Sequence, residues 1–151
     1  MKFLSQLAKR ALPKWNQKVF GERDFESYCK TNRIAVVEYP TKNLGEYLLH
    51  KNRPVIVLDP KLSGTKRTWV LAHECAHHLL HHPYSQNFGA TIHARSLFIE
   101  KLDYQANFIA SISLIPIWLV KSKSFGEIVD EYNYPRELFN LRKDYYERYK
   151  I

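Results

Sequence analysis

Apolar residues recur at helical intervals near the start of the chain. Leu4, Ala8 and Ala11 share one face, and basic residues occupy the opposite face up to Pro13. This spacing predicts an amphipathic helix that packs on the core, although such a helix could also bind a partner or touch a membrane surface. A second helix is predicted to begin between residues 24 and 27 and to end near residue 30.

Three short segments that follow are rich in β-branched or alternating apolar residues and predict strands. Residues 34–39 stop at Pro40, whereas residues 46–50 and 54–59 are separated by a short turn. Two strand segments joined by such a turn form a hairpin. We therefore expect a small antiparallel sheet of about three strands ahead of the longest helices.

The remainder of the chain is predicted to be mainly helical. A helix over residues 65–82 ends at Pro83, a polar segment at 84–95 is expected to form a loop, and a long helix covers 96–115. Because proline is favoured at helix starts, further short helices are predicted at residues 116–120, 125–131 and 135–142.

These elements predict an α+β fold in which a small antiparallel sheet packs on a mainly helical body. The length suits a single domain covering residues 1–151. We expect this domain to consist of an N-terminal amphipathic helix within 1–20, a core over 24–120 and C-terminal helices within 121–151.

The charge of the chain narrows the classes of partner. The formal net charge is +8, but lysine and arginine are spread along the sequence without a long basic block. A basic balance is compatible with nucleic acid, an anionic surface or an acidic protein. The even spread favours solubility or an acidic protein partner over direct binding of DNA.

Cysteine usage and hydropathy favour a cytoplasmic protein. Cys29 and Cys75 are too few for a disulfide framework and fit a reducing compartment. Lys9, Arg10 and Lys14 interrupt any apolar segment at the N-terminus, which argues against a signal peptide. No run of about 18 apolar residues predicts a transmembrane segment.

The candidate chemistry lies in the predicted helix over residues 65–82, which contains His73-Glu74-Cys75-Ala76-His77. Residues four apart share a helix face, so His73 and His77 can bind one metal ion. Glu74 is turned about 100° from His73, where a carboxylate can accept a proton from a water molecule that the metal activates. Cys75 is predicted to face the core. The alternative is a histidine-rich surface helix without metal, and His78, His81 and His82 are interpreted as surface or core-edge residues.

A catalytic zinc site usually has a third protein ligand, and this ligand must come from another part of the chain. The predicted helix over 96–115 offers Glu100 and Asp103, which are about one turn apart and share a face. Spacing alone leaves both residues open as the third ligand.

Two segments of the chain together resemble a known family. The first segment is Leu71-Ala72-His73-Glu74-Cys75-Ala76-His77, and the second is Asp103-Tyr104-Gln105-Ala106-Asn107-Phe108-Ile109-Ala110, closing on Leu114-Ile115-Pro116. They are similar to the L-A-H-E-x-x-H helix and the following E-x-x-A-N-x-F-A-x-x-L-L-M-P helix of the ImmA/IrrE-type metallopeptidases. The resemblance covers roughly residues 24–145.

The resemblance implies a zincin-like fold and a zinc-dependent endopeptidase with Glu74 as its catalytic base. It puts the carboxylate ligand at Asp103, where the family usually has glutamate. Because aspartate is shorter by one methylene, either the second helix approaches more closely or Glu100 assists. Asn107 is implied to hydrogen-bond a metal-binding histidine or the backbone. Zn²⁺ is the expected cofactor, although nitrogen and carboxylate ligands also accept other divalent metals.

The resemblance further implies that the substrate is a helix-turn-helix repressor, whose cleavage derepresses genes of a mobile element or a stress response. Three residues could stabilise the oxyanion, and the sequence leaves Tyr84, His93 and Tyr104 open. One alternative is a non-catalytic, metal-containing binding module that acts on a repressor or a toxin-like partner. Direct DNA binding by the C-terminal helices, with Arg136, Arg142 and Lys143 exposed, is not favoured because the neighbouring Leu138, Phe139 and Leu141 are expected to pack.

Overall fold

The computed structural model describes the backbone of residues 1–80 and 92–151, and the side chains of 1–80 and 100–151. It confirms an α+β fold. The described helices and strands are α1 Lys2–Ala11, α2 Glu22–Thr31, β1 Ala35–Glu38, β2 Gly45–His50, β3 Arg53–Leu58, α3 Gly64–Leu79, α4 Ile92–Leu114, α5 Ile117–Ser122, α6 Phe125–Tyr132 and α7 Arg136–Tyr149.

The three strands form a mixed sheet in the order β1-β3-β2. β2 and β3 make the predicted antiparallel hairpin, and its two turn residues, Lys51 and Asn52, both have positive φ angles of 49° and 61°. Such backbone angles match the twist of the flanking strands. β1 pairs with β3 in parallel, from Ala35 opposite Val55 to Glu38 opposite Leu58. The expectation of a wholly antiparallel sheet is therefore wrong for β1.

The parallel pairing follows from the path of the chain between β1 and β2. β1 ends beside the end of β3, and the chain crosses that end before it returns as β2 on the far side. The Asp59 carboxylate fixes this crossing by accepting hydrogen bonds from the backbone N–H groups of Thr41, at 3.1 Å, and Lys61, at 2.9 Å. These bonds also lower the pKa of Asp59.

Helix α3 occupies the centre of the fold and contacts α2, α4, β2 and β3. Ile56 and Leu58 of β3 are fully buried, as are Leu71 and Ala72 of α3. Apolar side chains that alternate along a strand and recur along a helix can be buried against each other in this way. Among the polar residues of α3, His73 and His77 face Asp103 of α4, and Glu74 faces the backbone of β2.

Helix α4 is the longest helix of the described residues and is held firmly near its C-terminus. The last carbonyl groups of a helix lack partners within the helix. Two donors from the C-terminal part of the chain reach them: Tyr134 Oη donates to the Leu114 carbonyl, at 3.0 Å, and Arg142 Nε donates to the Ile115 carbonyl, at 2.6 Å. The prediction that Arg142 is exposed is wrong, because its side chain is fully buried at this helix end.

Several helix boundaries differ from the predicted ones. α2 begins at Glu22 because the Gly21 N–H donates to the Asp24 carboxylate at 2.9 Å and closes the first turn. α4 begins at Ile92, so residues 92–95 are helical and not part of a loop. The rest of the predicted loop and the predicted helix end at 81–82 lie outside the described residues. α7 continues to Tyr149, beyond the predicted end.

α1 matches its prediction, since it runs from Lys2 to Ala11 and buries Leu4 and Ala8. Trp15, just after it, donates from Nε1 to the Ile109 carbonyl of α4 at 3.2 Å. Among the helices of the described residues, none is both long and apolar enough to cross a membrane.

Candidate metal site

Helices α3 and α4 bring three potential metal-binding side chains together. The Nε2 atoms of His73 and His77 are 2.9 Å apart, and Asp103 Oδ1 lies 3.8 Å and 3.3 Å from them, respectively. In the described part of the chain, these three residues form the group whose ligand atoms could hold one metal ion. Glu100, about one turn before Asp103, is exposed and does not belong to this group.

The spacing of the three ligand atoms fits a tetrahedral metal. Two ligands bonded at about 2.05 Å and separated by a tetrahedral angle lie about 3.3 Å from each other. The observed separations of 2.9, 3.3 and 3.8 Å lie on both sides of that value. A set of two imidazole nitrogens and one carboxylate oxygen, with a fourth position for solvent, is also the donor set of known catalytic zinc sites.

Asn107 orients one of the two imidazoles. Its Oδ1 lies 2.9 Å from His73 Nδ1, so the amide oxygen accepts a hydrogen bond from the Nδ1–H group. A proton on Nδ1 leaves the lone pair of Nε2 directed towards His77 and Asp103. Asn107 and Asp103 are four residues apart on α4, and the same helix face therefore supplies both side chains.

Glu74 lies beside this group, with only 6% of its surface exposed. Burial raises the pKa of Glu74 to about 8 in the metal-free protein, and the negative charges of Asp103 and Glu46 add to the effect. The backbone N–H of Tyr47 donates to the carboxylate and acts in the opposite direction. The site therefore contains a carboxyl group that exchanges its proton near neutral pH.

Gly45 allows β2 to approach Glu74. A Cβ atom at this position would collide with the Val70 side chain and would lie 3.0 Å from Glu74 Oε1. The strand can therefore lie against α3 only because residue 45 lacks a side chain. The sequence analysis did not identify this role of Gly45. Its one available signal was a glycine directly before an alternating strand segment, where close approach of another backbone is common.

The other candidate residues occupy different surroundings. The Tyr104 hydroxyl lies 2.9 Å from that of Tyr149, and the Tyr104 ring packs edge-on against Tyr145 in the contact between α4 and α7. His78 Nδ1 lies 2.9 Å from the Tyr28 hydroxyl, which supports its interpretation as a core-edge residue. Tyr84, His81, His82 and the side chain of His93 lie outside the described residues.

The fold and the site together define a class of protein, the metallohydrolases. Their sites combine two imidazoles one helical turn apart, a carboxylate from a second helix and a glutamate beside them. The comparison with protein families agrees with this class. Residues 29–145 match the family model Peptidase_M78, described as the IrrE N-terminal-like domain. This match covers well over half of the chain, so the protein belongs to this family and has a peptidase-type function with a protein substrate. No curated protein and no solved structure matches the chain.

Proposed function

We propose that the protein is a zinc-dependent endopeptidase that cleaves a helix-turn-helix repressor. The observation that carries the proposal is the convergence of His73, His77 and Asp103 next to the buried Glu74. In this proposal His73, His77 and Asp103 hold the metal, Glu74 is the general base, and Asn107 orients His73. Other divalent metals could occupy the same donors, and zinc is proposed because two imidazoles and one carboxylate are the donor set of known catalytic zinc sites.

When bound, zinc supplies Lewis acidity, which makes a water molecule acidic near neutral pH and polarises a peptide carbonyl. Glu74 accepts a proton from that water and returns it to the departing amine. The raised pKa of Glu74 belongs to the metal-free protein, and a bound divalent cation would lower it, so that the carboxylate could accept the proton at neutral pH. The Tyr47 N–H keeps the carboxylate in one orientation while it does so.

The position of β2 supports a polypeptide substrate. β3 pairs with one side of β2, and the other side borders Glu74, as the hydrogen bond from Tyr47 N–H to its carboxylate indicates. An extended peptide can bind along such a sheet edge through its main chain. In this arrangement, a substrate segment beside β2 would have its carbonyl groups close to the candidate metal site.

The choice of a repressor as substrate rests on the family and on charge. The net charge of +8 favours a partner with an acidic surface. A repressor binds DNA through a basic face, but its other faces can be acidic and could contact this protein. Cleavage of a transcriptional repressor would place the protein in the cytoplasm. We also propose that residues 1–151 act as one domain, because Trp15 and Arg142 both donate hydrogen bonds to α4.

The test is the substitution Glu74→Gln in the zinc-loaded protein, mixed with repressors encoded by neighbouring genes. We expect the variant to retain zinc by elemental analysis and to lose cleavage by at least about 10²-fold, since the general base is removed. Glu100→Gln is the matched control, because it changes an exposed carboxyl group near Asp103 and should leave cleavage unchanged. Cleavage by Glu74→Gln at the wild-type rate would refute the mechanism, whereas a stable complex without cleavage by wild type would favour the non-catalytic binding module.

A further inference from the structure

Two cysteines contact each other behind the candidate metal site. Cys29 of α2 and Cys75 of α3 are separated by 46 residues in sequence, yet their Sγ atoms lie 3.5 Å apart. Both are free thiols, with 2% and 3% of their surface exposed. Cys75 lies between His73 and His77 in sequence but is turned about 200° from His73 around the helix. The thiol pair therefore joins α2 to the face of α3 opposite the imidazoles.

We propose that Cys29 and Cys75 form a reversible disulfide when the protein meets a hydroperoxide, so that α2 becomes covalently linked to the helix that carries His73 and His77. An S–S bond is about 2.05 Å long, and the two sulfur atoms must therefore approach by about 1.5 Å. The contact between the two thiols already brings the sulfur atoms of neighbouring helices most of the way to this distance.

The reaction is a two-step oxidation that balances with one equivalent of hydroperoxide. In the first step one thiol, as its thiolate, attacks the peroxide oxygen; the O–O bond breaks, and the departing oxygen leaves as water or an alcohol. The sulfenic acid that forms is then attacked by the second thiol. The S–S bond forms, the S–O bond breaks, and water leaves with the remaining proton. The two sulfurs lose two electrons, which the peroxide gains.

Access of the oxidant requires local opening, because both sulfur atoms are buried. The contact between α2 and α3 includes two polar interactions that must break for the helices to separate: Arg67 Nε to Glu22 Oε1 at 2.7 Å, and Tyr28 Oη to His78 Nδ1 at 2.9 Å. Such helix-edge contacts belong to the part of a fold that opens most readily. We therefore expect slow cross-linking, over minutes to hours, in the folded protein.

The disulfide would close a loop of 46 residues and restrict the unfolded chain. A loop of this length is expected to raise the melting temperature by about 10 °C, if the bond forms without strain. Because Cys75 is turned away from the imidazoles, the linked protein should still bind zinc. Oxidation would then stabilise the helix that carries His73 and His77 under oxidising conditions.

The experiment uses the full-length, zinc-loaded protein in native buffer with millimolar hydrogen peroxide, followed by alkylation in denaturant. We expect intact mass spectrometry without reductant to show the loss of about 2 Da and no alkylation, with both changes reversed by dithiothreitol. Peptide mapping should link Cys29 to Cys75, and the oxidised protein should melt at higher temperature. Cys29→Ala should block the cross-link and leave Cys75 available for alkylation.

Three outcomes would overturn the proposal: two thiols that remain alkylatable, oxidation of single cysteines without a link, or a link that forms only when denaturant is present during peroxide treatment. All three outcomes are observed on the wild-type protein, so they do not depend on whether a variant folds. The metal-free protein should form the same link with peroxide, because the proposal depends on the contact between the two thiols and not on the metal. None of these readouts requires peptidase activity, which keeps this proposal separate from the proposed function.

Discussion

The described side chains of α4 at residues 100–105 are exposed or partly exposed at the edge of the protein, whereas those of residues 108–114 are buried inside it. Asp103 has 49% of its side chain exposed, while Ile112 and Leu114 have none of their surface exposed. The buried end is fixed by Arg142 and Tyr134, which donate to its carbonyl groups. One end of α4, which we call the buried end, therefore holds the helix in place. The other end, which we call the ligand end, carries the candidate metal ligand Asp103, and acidic side chains there repel one another.

The ligand end should lower the stability of the metal-free protein, because acidic side chains are brought together there. Asp103 and Glu46 both raise the pKa of Glu74, which burial already raises. In the metal-free protein these groups oppose one another, and a divalent cation would relieve the repulsion. Stability and metal binding are therefore linked at this end of α4.

Asp103→Asn should have the largest effect on the ligand end. Removing the carboxylate charge should weaken zinc binding by more than the 10–100-fold loss that is typical for residues outside the ligand set, and cleavage should fall in parallel. Competition with a fluorescent chelator measures the affinity. Asp103→Glu keeps a carboxylate at this position and should keep binding within about 10-fold. Unchanged affinity in Asp103→Asn would remove Asp103 from the ligand set.

The stability of the metal-free protein should decrease as pH rises from about 5 to 8. In this range Glu74 of the unfolded chain is ionised, whereas the folded protein, with its pKa near 8, still binds the proton. The folded state therefore holds more protons, and the free energy of unfolding falls with rising pH, by up to about 5 kcal/mol from this group alone.

Urea unfolding in the presence of a chelator measures this dependence. Glu74→Gln removes the titrating group and should flatten the curve between pH 5 and 8. A wild-type curve that rises over the same interval, or a variant curve with the wild-type slope, would contradict the assigned origin of the effect.

Arg142→Ala tests the buried end of α4. The substitution removes the hydrogen bond to the Ile115 carbonyl and leaves a cavity, so the free energy of unfolding should fall by about 3 kcal/mol. Arg142→Met keeps most of the volume and removes two buried nitrogens, Nη1 and Nη2, which lack hydrogen-bond partners among the described residues. It also removes the Nε donor to the Ile115 carbonyl, so it should lose stability, but less than Arg142→Ala because no large cavity forms. Equal losses for both variants in urea unfolding would indicate that the hydrogen bond, not packing, fixes this helix end.

Much of the ligand end could be predicted, because the spacing of residues within one helix determines which of them share a face. The His73–His77 spacing fixes two imidazoles on one helix face whatever the rest of the fold does. The order of residues around Asp103 and Asn107 likewise predicts their common face. The choice between Asp103 and Glu100 was different, since it depends on how α4 is rotated against α3, and that rotation is set by packing far from either carboxylate.

The features that sequence analysis missed are those that depend on contacts between distant segments. The residue pattern of β1 predicts a strand but does not predict which strand pairs with it. β3 lies between β1 and β2 because the chain crosses the end of β3 near Asp59. The glycine at residue 45 signals a close approach but does not indicate that the approaching element is α3. Arg142 would be exposed on an isolated helix, and only the end of α4 provides a carbonyl that makes its burial possible.

Asn107→Leu should weaken zinc binding less than Asp103→Asn does, because it changes the orientation of a proposed ligand and not the ligand itself. The loss of the hydrogen bond to His73 Nδ1 lets the imidazole adopt the other tautomer and rotate, which should weaken zinc binding by about 10–100-fold. Asn107→Asp keeps an acceptor 2.9 Å from Nδ1 and should retain affinity close to wild type. Because Asn107 lies between Asp103 and the buried end of α4, stability should change by less than for Arg142→Ala. A loss of stability with unchanged zinc affinity would assign Asn107 to helix packing, and the ligand end of α4 would then consist of Asp103 alone.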